Sequence, residues 1–223
     1  MKPYLVKTPK FVHRLFPKRI WAFPNSKNSV YLTFDDGPIP EVTTWVIEIL
    51  KQYKAKATFF CIGDNVNKHP NVFQQIIEDG HSIGNHTYHH LNGWNTKTKY
   101  YINNCEKCED SLNRVQDNKS PIKTQESEIN NLFRPPFGKL TLKQSKNLQK
   151  KGFHIIMWDV LSGDFDTEIS NEKCLENVLK NIQPGSIVVF HDSLKSNEKL
   201  RYVLPKVLDY LRINHLACEA IKL

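Results

Sequence analysis

Short apolar runs alternate with stretches of helical periodicity along this chain, and few folds accommodate that alternation. Residues 30–34 and 57–62 read as strands from their β-branched and aromatic content. Between them Val42, Trp45, Val46, Ile49, Leu50 and Tyr53 recur at helical spacing. The pattern repeats: helices are expected over 72–78, 97–115, 141–150, 174–180 and 202–211. Strands are expected near 82–83, 132–133, 153–158, 187–190 and 217–221. Strand–helix alternation of this kind argues for an α/β fold with a parallel sheet, open or closed into a barrel. No apolar run approaches the roughly 18 residues of a membrane span. Residues 116–130, polar and poor in apolar side chains, read as a surface loop.

The 223 residues carry a formal charge of +8, and its placement matters more than its size. Seven bases (Lys2, Lys7, Lys10, Arg14, Lys18, Arg19 and Lys27) and no acid lie in residues 1–34. Residues 1–28 are therefore expected to be a basic segment packed on a domain that spans 29–223. Thr8 is placed to cap a short helix with Pro9 at its first position. Phe11, Val12, Leu15 and Phe16 would share a face that covers one end of the sheet until Pro17 ends the helix. A nucleic-acid partner would need a basic stripe with a reading module, which is absent, so none is expected. The same basic segment would suit attachment to an anionic membrane surface. Arg14, Pro17, Lys18 and Arg19 interrupt the only candidate for a signal-peptide centre, so a cytoplasmic location is the expectation. The five cysteines fit that setting as reduced thiols. The pair Cys105 and Cys108 falls in mid-helix, where a spacing of three leaves the two too far apart for an unstrained disulfide.

Chemistry gathers in the segments that follow the strands. Asp35 and Asp36 stand side by side in TFDDGP, where an extended backbone would point them to opposite sides. One can then bind a metal while the other faces the metal's water. HSIGNHTYHH holds four of the nine histidines. His86 and His90, four apart, would stack on one face of a helical turn, a metal-ligand spacing. His81 and His89 read as ordinary polar residues. Two histidines and a carboxylate make a three-ligand site with room for water, the pattern of catalytic zinc, although non-haem iron uses the same set. RPPFG brings Arg134, WDVLSGDF brings carboxylates beside aromatics, and VVFHD sets His191 after a buried strand as a candidate general acid. Reactive groups at the C-terminal ends of parallel strands are how an α/β barrel builds a site. A metal-activated water beside a carboxylate is hydrolytic machinery.

In that order, these five motifs resemble those of the polysaccharide deacetylases, carbohydrate esterase family four, related to the chitooligosaccharide deacetylases of nodulation. The resemblance runs over about residues 30–221. It implies a distorted (β/α) barrel of about seven parallel strands, with residues 29–223 as the catalytic domain. It also implies one divalent metal ion, zinc being expected and cobalt, nickel or iron(II) the alternatives. The implied activity is removal of N-acetyl groups from N-acetylglucosamine-containing oligo- or polysaccharides of chitooligosaccharide or peptidoglycan type, with release of acetate. By the same resemblance Asp35 is the general base and Asp36, His86 and His90 are the metal ligands. Arg134 is the cation that holds the base, with Asp164 a carboxylate tuning that network. The Phe137 backbone N–H is an oxyanion donor, and His191 is the acid for the departing amine. Phe165 stands where the family often has Trp, and Val189 where it commonly has Leu. Trp94 and Tyr88 are candidate surfaces for stacking a sugar. The alternative readings are a metal-dependent amidase on a non-sugar or cyclic amide, and a carbohydrate-binding protein without catalysis.

Overall fold

The first long apolar run becomes strand β1 (Ser29–Asp35), and it lies in the middle of the sheet. The structure is a computed structural model that describes residues 4–117 and 131–223. On one side β1 pairs with β2 (Thr58–Cys61), which continues to β3 (Ser82–Asn85), β4 (Leu132–Phe133) and β5 (His154–Ile155). On the other it pairs with β7 (Ile187–His191) and, beyond that, β6 (Val160–Leu161). All of these pairings are parallel, and a short β8 (Ala217–Cys218) adds to the start of β1. This is the expected distorted (β/α) barrel of seven parallel strands, with a seam between β5 and β6. The register sets Asp35 beside Phe60 on one neighbour and beside His191 on the other.

The helices are α1 (Lys10–Leu15), α2 (Pro40–Gln52), α3 (Gly63–Lys68), α4 (Pro70–Glu78), α5 (Thr98–Asp117), α6 (Leu142–Lys150), α7 (Asn171–Leu179) and α8 (Asn197–Ile213). Pro40 and Pro70 open α2 and α4 at the position where a missing N–H costs nothing. Thr141 and Gln144 close a capping box on α6. Leu200, Val203, Leu204, Val207, Leu208 and Leu211 form the buried stripe of α8. Together with Val42, Val46 and Leu50 of α2 they pack on Leu32 and Phe34 of the sheet. Cys105 and Cys108 are buried in α5 as free thiols, and burial pushes both thiols' pKa up. The expected loop 116–130 lies outside the described residues, apart from the two that end α5.

The N-terminal segment fills the seam. Ile20 donates its N–H to the Ile155 carbonyl, and its own carbonyl accepts from Met157. On the β6 side Leu161 donates to Val6, and Thr8 to Asp159. Both free sheet edges thus find backbone partners, which removes a templating hazard. Thr8 does not cap α1: its hydroxyl donates to the Trp158 carbonyl, and Pro9 takes the cap position without a side-chain bond. The shared apolar face of α1 also divides. Val12 and Phe16 pack inward, while Phe11 and Leu15 are exposed because a six-residue helix lying in a seam has little to cover.

His81, just before β3, is structural. Its Nδ1 accepts from the Ala57 N–H, and burial pulls its pKa down from 6.5 to about 4. Between those values the unfolded chain binds a proton there that the folded chain refuses. Stability is therefore lost as the pH falls through that window, by up to about 3 kcal/mol from this residue. Urea midpoints at pH 7 and at 4.5 should drop less for His81→Asn than for wild type; equal drops would remove His81 as the cause.

Candidate functional site

Asp35 ends β1, fully extended and 3% exposed, and its Oδ1 accepts from the Arg134 Nη1 at 2.7 Å. The next residue leaves the strand: Asp36 has φ 84°, so its side chain is re-aimed by a left-handed backbone rather than by strand alternation. Two groups hold that turn. Asn65 of α3 donates to the Asp36 carbonyl at 2.8 Å. Asp192, after β7, accepts from the Gly37 N–H at 3.0 Å and from the Thr43 hydroxyl at 2.5 Å. The fit leaves no room for a side chain at Gly37, where a Cβ would lie 2.0 Å from Asp192 Oδ2. Burial pushes the Asp192 carboxyl up to about 8, with the Thr43 and Gly37 bonds opposing the rise.

His86 and His90 do converge, but not on a helix. Residues 86–90 form a bend with Thr87 at φ 62° and His90 at φ 54°. The bend is imposed by side chains. Asn85 Oδ1 accepts from the Thr87 N–H, the Thr87 hydroxyl accepts from Leu91, and the first amides of α3 donate to the Thr87 and Tyr88 carbonyls. Short polar side chains that bond their own backbone compete with helix, which is why the spacing of four misleads here. His86 Nδ1 lies 2.8 Å from the Arg134 carbonyl. A carbonyl only accepts, so Nδ1 carries the proton and Nε2 offers its lone pair. Burial pulls the His86 pKa down to about 4 and keeps it neutral.

The Nε2 atoms of His86 and His90 lie 3.6 and 3.2 Å from Asp36 Oδ1. The three ligand atoms fall within 4.8 Å of one another. Asp36 Oδ1 is buried with no hydrogen-bond partner, an orphaned anionic oxygen beside the Nε2 atoms of both imidazoles. Three donors converging on one point, with an unsatisfied carboxylate among them, fit a divalent cation. Burial works to raise the Asp36 pKa, but His90, His191 and His86 outweigh it and hold the carboxyl well below the usual range.

Arg134 is completely buried, and each of its three side-chain nitrogens is bonded. It donates to Asp35, to Thr33 at 2.6 Å and to the carbonyls of Met157 and Ile156, with the guanidinium 4.1 Å over the Phe60 ring. Its side chain thus fixes Asp35 while its carbonyl fixes His86. Asp164 sits elsewhere than expected, on His191 rather than in the Arg134–Asp35 network. Its two oxygens take the His191 ring at 2.8 Å and the His191 backbone N–H at 2.7 Å. Burial alone would lower the His191 pKa; Asp164, with Asp36 and Asp35 behind it, raises it to about 10. A cation at the triad would offset part of that rise.

Phe137 has φ 60° in a short turn, and its ring, 60% exposed, stands edge-on to His90 with centroids 4.6 Å apart. Asp35, Asp36, His86, His90, Phe137 and His191 line one cleft of about 620 Å³, while Arg134 and Asp164 lie behind it. His81 and His89 lie outside it, and His89 bonds to Asn104. Tyr88 belongs to the core, where its hydroxyl accepts from Asn67, while Trp94 is exposed beside Lys139 on the rim. Asp192, Asn65 and Asn85 are the supports that reading the sequence missed. Nothing in a lone Asn or Asp marks which turn it will brace.

A family model described as polysaccharide deacetylase matches residues 23–156. A peptidoglycan-N-acetylglucosamine deacetylase of Bacillus cereus is 38% identical over 178 residues, which cover 79% of this chain. They cover only 61% of that protein, so the chain spans less than two thirds of its length. A chitooligosaccharide deacetylase of Azorhizobium caulinodans is 31% identical over 198 residues, covering 81% of this chain and 88% of that protein. Among solved structures, a peptidoglycan N-acetylglucosamine deacetylase in complex with a naphthalenyl N-oxidanyl-benzamide superposes with a TM-score of 0.83 at 32% identity. That match covers 97% of this chain and 95% of that one.

Proposed function

We propose that this chain, which belongs to the polysaccharide deacetylase family, hydrolyses the acetamide of N-acetylglucosamine units in an oligo- or polysaccharide and releases acetate. The observation that carries this reading is one cleft holding three parts. These are the Asp36/His86/His90 triad with its orphaned oxygen, the arginine-bonded Asp35 and the Asp164-bonded His191. Similarity to peptidoglycan and chitooligosaccharide deacetylases supports the choice of substrate class.

A divalent ion held by Asp36, His86 and His90, zinc being the expected one, would polarise the acetamide carbonyl and acidify a water. Asp35 takes the proton from the attacking water, and Arg134 keeps its carboxylate aimed. The Phe137 N–H donates to the oxygen on which negative charge develops; removing one such donor typically costs about 2.7–4 kcal/mol. His191 uses Nδ1 to donate to Asp164, so Nε2 is the atom that hands a proton to the leaving amine. Acetate and a free amino sugar result.

The test is acetate release from N-acetylglucosamine oligomers and peptidoglycan fragments, with zinc added or with chelator. Release should stop on chelation and return with metal, and His90→Ala should lose metal content and release together. Release that persists in chelator would sink the metal-dependent mechanism. Metal-loaded protein silent on every sugar would shift the reading to another amide, or to sugar binding without catalysis.

A further inference from the structure

The family model begins at residue 23, yet the cleft does not. Tyr4, Leu5, Thr8 and Trp21, all from the segment that fills the seam, line it together with the triad. Leu5 is 61% exposed while lining the cleft, so most of its apolar surface faces the cleft and solvent rather than the core. The Tyr4 ring lies 5.2 Å from Phe165, whose ring lies 5.2 Å from His191. Asp166 lies by the Tyr4 hydroxyl, whose pKa burial and Asp166 together push up to about 12.

The segment is also latched. Lys7 Nζ donates to Asp159 Oδ2 at 2.7 Å and to the Asn181 carbonyl at 2.8 Å, across 152 and 174 residues of chain. Asp159 is 2% exposed and is further bonded by Ser186 and Ile187. A buried carboxylate bonded on both oxygens thus anchors Lys7, two residues from Leu5, and holds that wall in one position.

We infer that Tyr4 and Leu5 form a subsite for the sugar adjacent to the one being deacetylated, so that this N-terminal strap makes the enzyme favour oligosaccharides over short substrates. A pyranose ring carries an apolar face of C–H groups, and an aromatic ring beside an exposed aliphatic side chain is the surface such a face covers. The occupant is an uncharged stretch of N-acetylglucosamine oligomer, continuous with the reacting unit. The inference rests on the deacetylase reading, and its test separates the two.

The experiment uses the full metal-loaded chain and two variants, Leu5→Ser and Tyr4→Ala. It measures kcat and KM for acetate release from the dimer and tetramer of N-acetylglucosamine, and calorimetric binding of the tetramer. Each variant should raise KM for the tetramer at least fivefold with kcat within twofold, so that the tetramer-to-dimer ratio of kcat/KM falls. A general loss of folding would move kcat as well. A ratio within twofold of wild type in both variants overturns the subsite. Wild-type protein that binds the tetramer without releasing acetate would sink the reaction, and the subsite would then stand or fall on whether both variants weaken binding at least fivefold. Wild-type protein that neither binds nor cleaves the tetramer overturns both.

Discussion

Asp35→Asn releases acetate roughly a hundred- to ten-thousand-fold more slowly than wild type, the span expected for loss of a positioned general base, and it retains its metal. Two features make the separation clean. Asp35 is not one of the three triad atoms, and its bonded oxygen points away from them toward Arg134. Asparagine keeps an oxygen to accept from Arg134, so the buried guanidinium is not left without a partner; only the basic carboxylate is gone. Metal content by elemental analysis and turnover on the same preparation decide the matter. Near-wild-type turnover would remove Asp35 as the base. A variant that had lost its metal would place Asp35 among the ligands instead.

Arg134→Met has a different signature, in which stability falls first. Among the described residues the side chain is the largest of the completely buried ones, and it bonds Thr33, Asp35 and two carbonyls. Removing one member of a buried ion pair typically costs about 3–5 kcal/mol, because the other charge stays behind. For a chain of this length that is a fall in Tm on the order of 10 °C. The cost should shrink when Asp35→Asn is already present, since no carboxylate is then stranded. A coupling of about 0.5–3 kcal/mol between the two substitutions is expected from urea unfolding. Additive effects would mean that Arg134 acts by filling space rather than by pairing. The carbonyl that anchors His86 belongs to the backbone and survives the substitution, so metal should still bind to the folded fraction.

Much of this was legible because strand ends are legible. Val30, Leu32 and Phe34 announce β1, and the two aspartates follow it; the same holds for His191 after β7. Of the two-residue strands, Leu132–Phe133 lies where it was expected, and one was missed. Val160–Leu161 passed as loop because no apolar run marks it, and its identity as β6 comes from pairing with β7. Helix α3 went unseen since Gly63–Lys68 has one apolar residue, Val66. It fits because Gly63 has no Cβ, which would lie 2.9 Å from the Cys108 Cα, and its first amides bond the histidine bend. The link from His86 to Arg134 is a backbone carbonyl, and no side-chain pattern records where a carbonyl will point. The basic N-terminal segment was visible by charge, but one working residue, Lys7, is half-buried with its ammonium bonded to the buried Asp159.

The seam has a consequence in time. Residues 4–8 are synthesised early, but the groups that seat them, Trp158, Asp159 and Asn181, are made 150 or more residues later. While β1 to β5 assemble beside one another as they emerge, the strap has nothing to dock on until β6 and β7 complete the sheet. Closing so long a loop is slow relative to local pairing. The Asp36/His86/His90 triad, from the segments that follow β1 and β3, can therefore be in place on a growing chain well before the wall beside it, and the cleft acquires its final shape only as the last quarter of the protein appears.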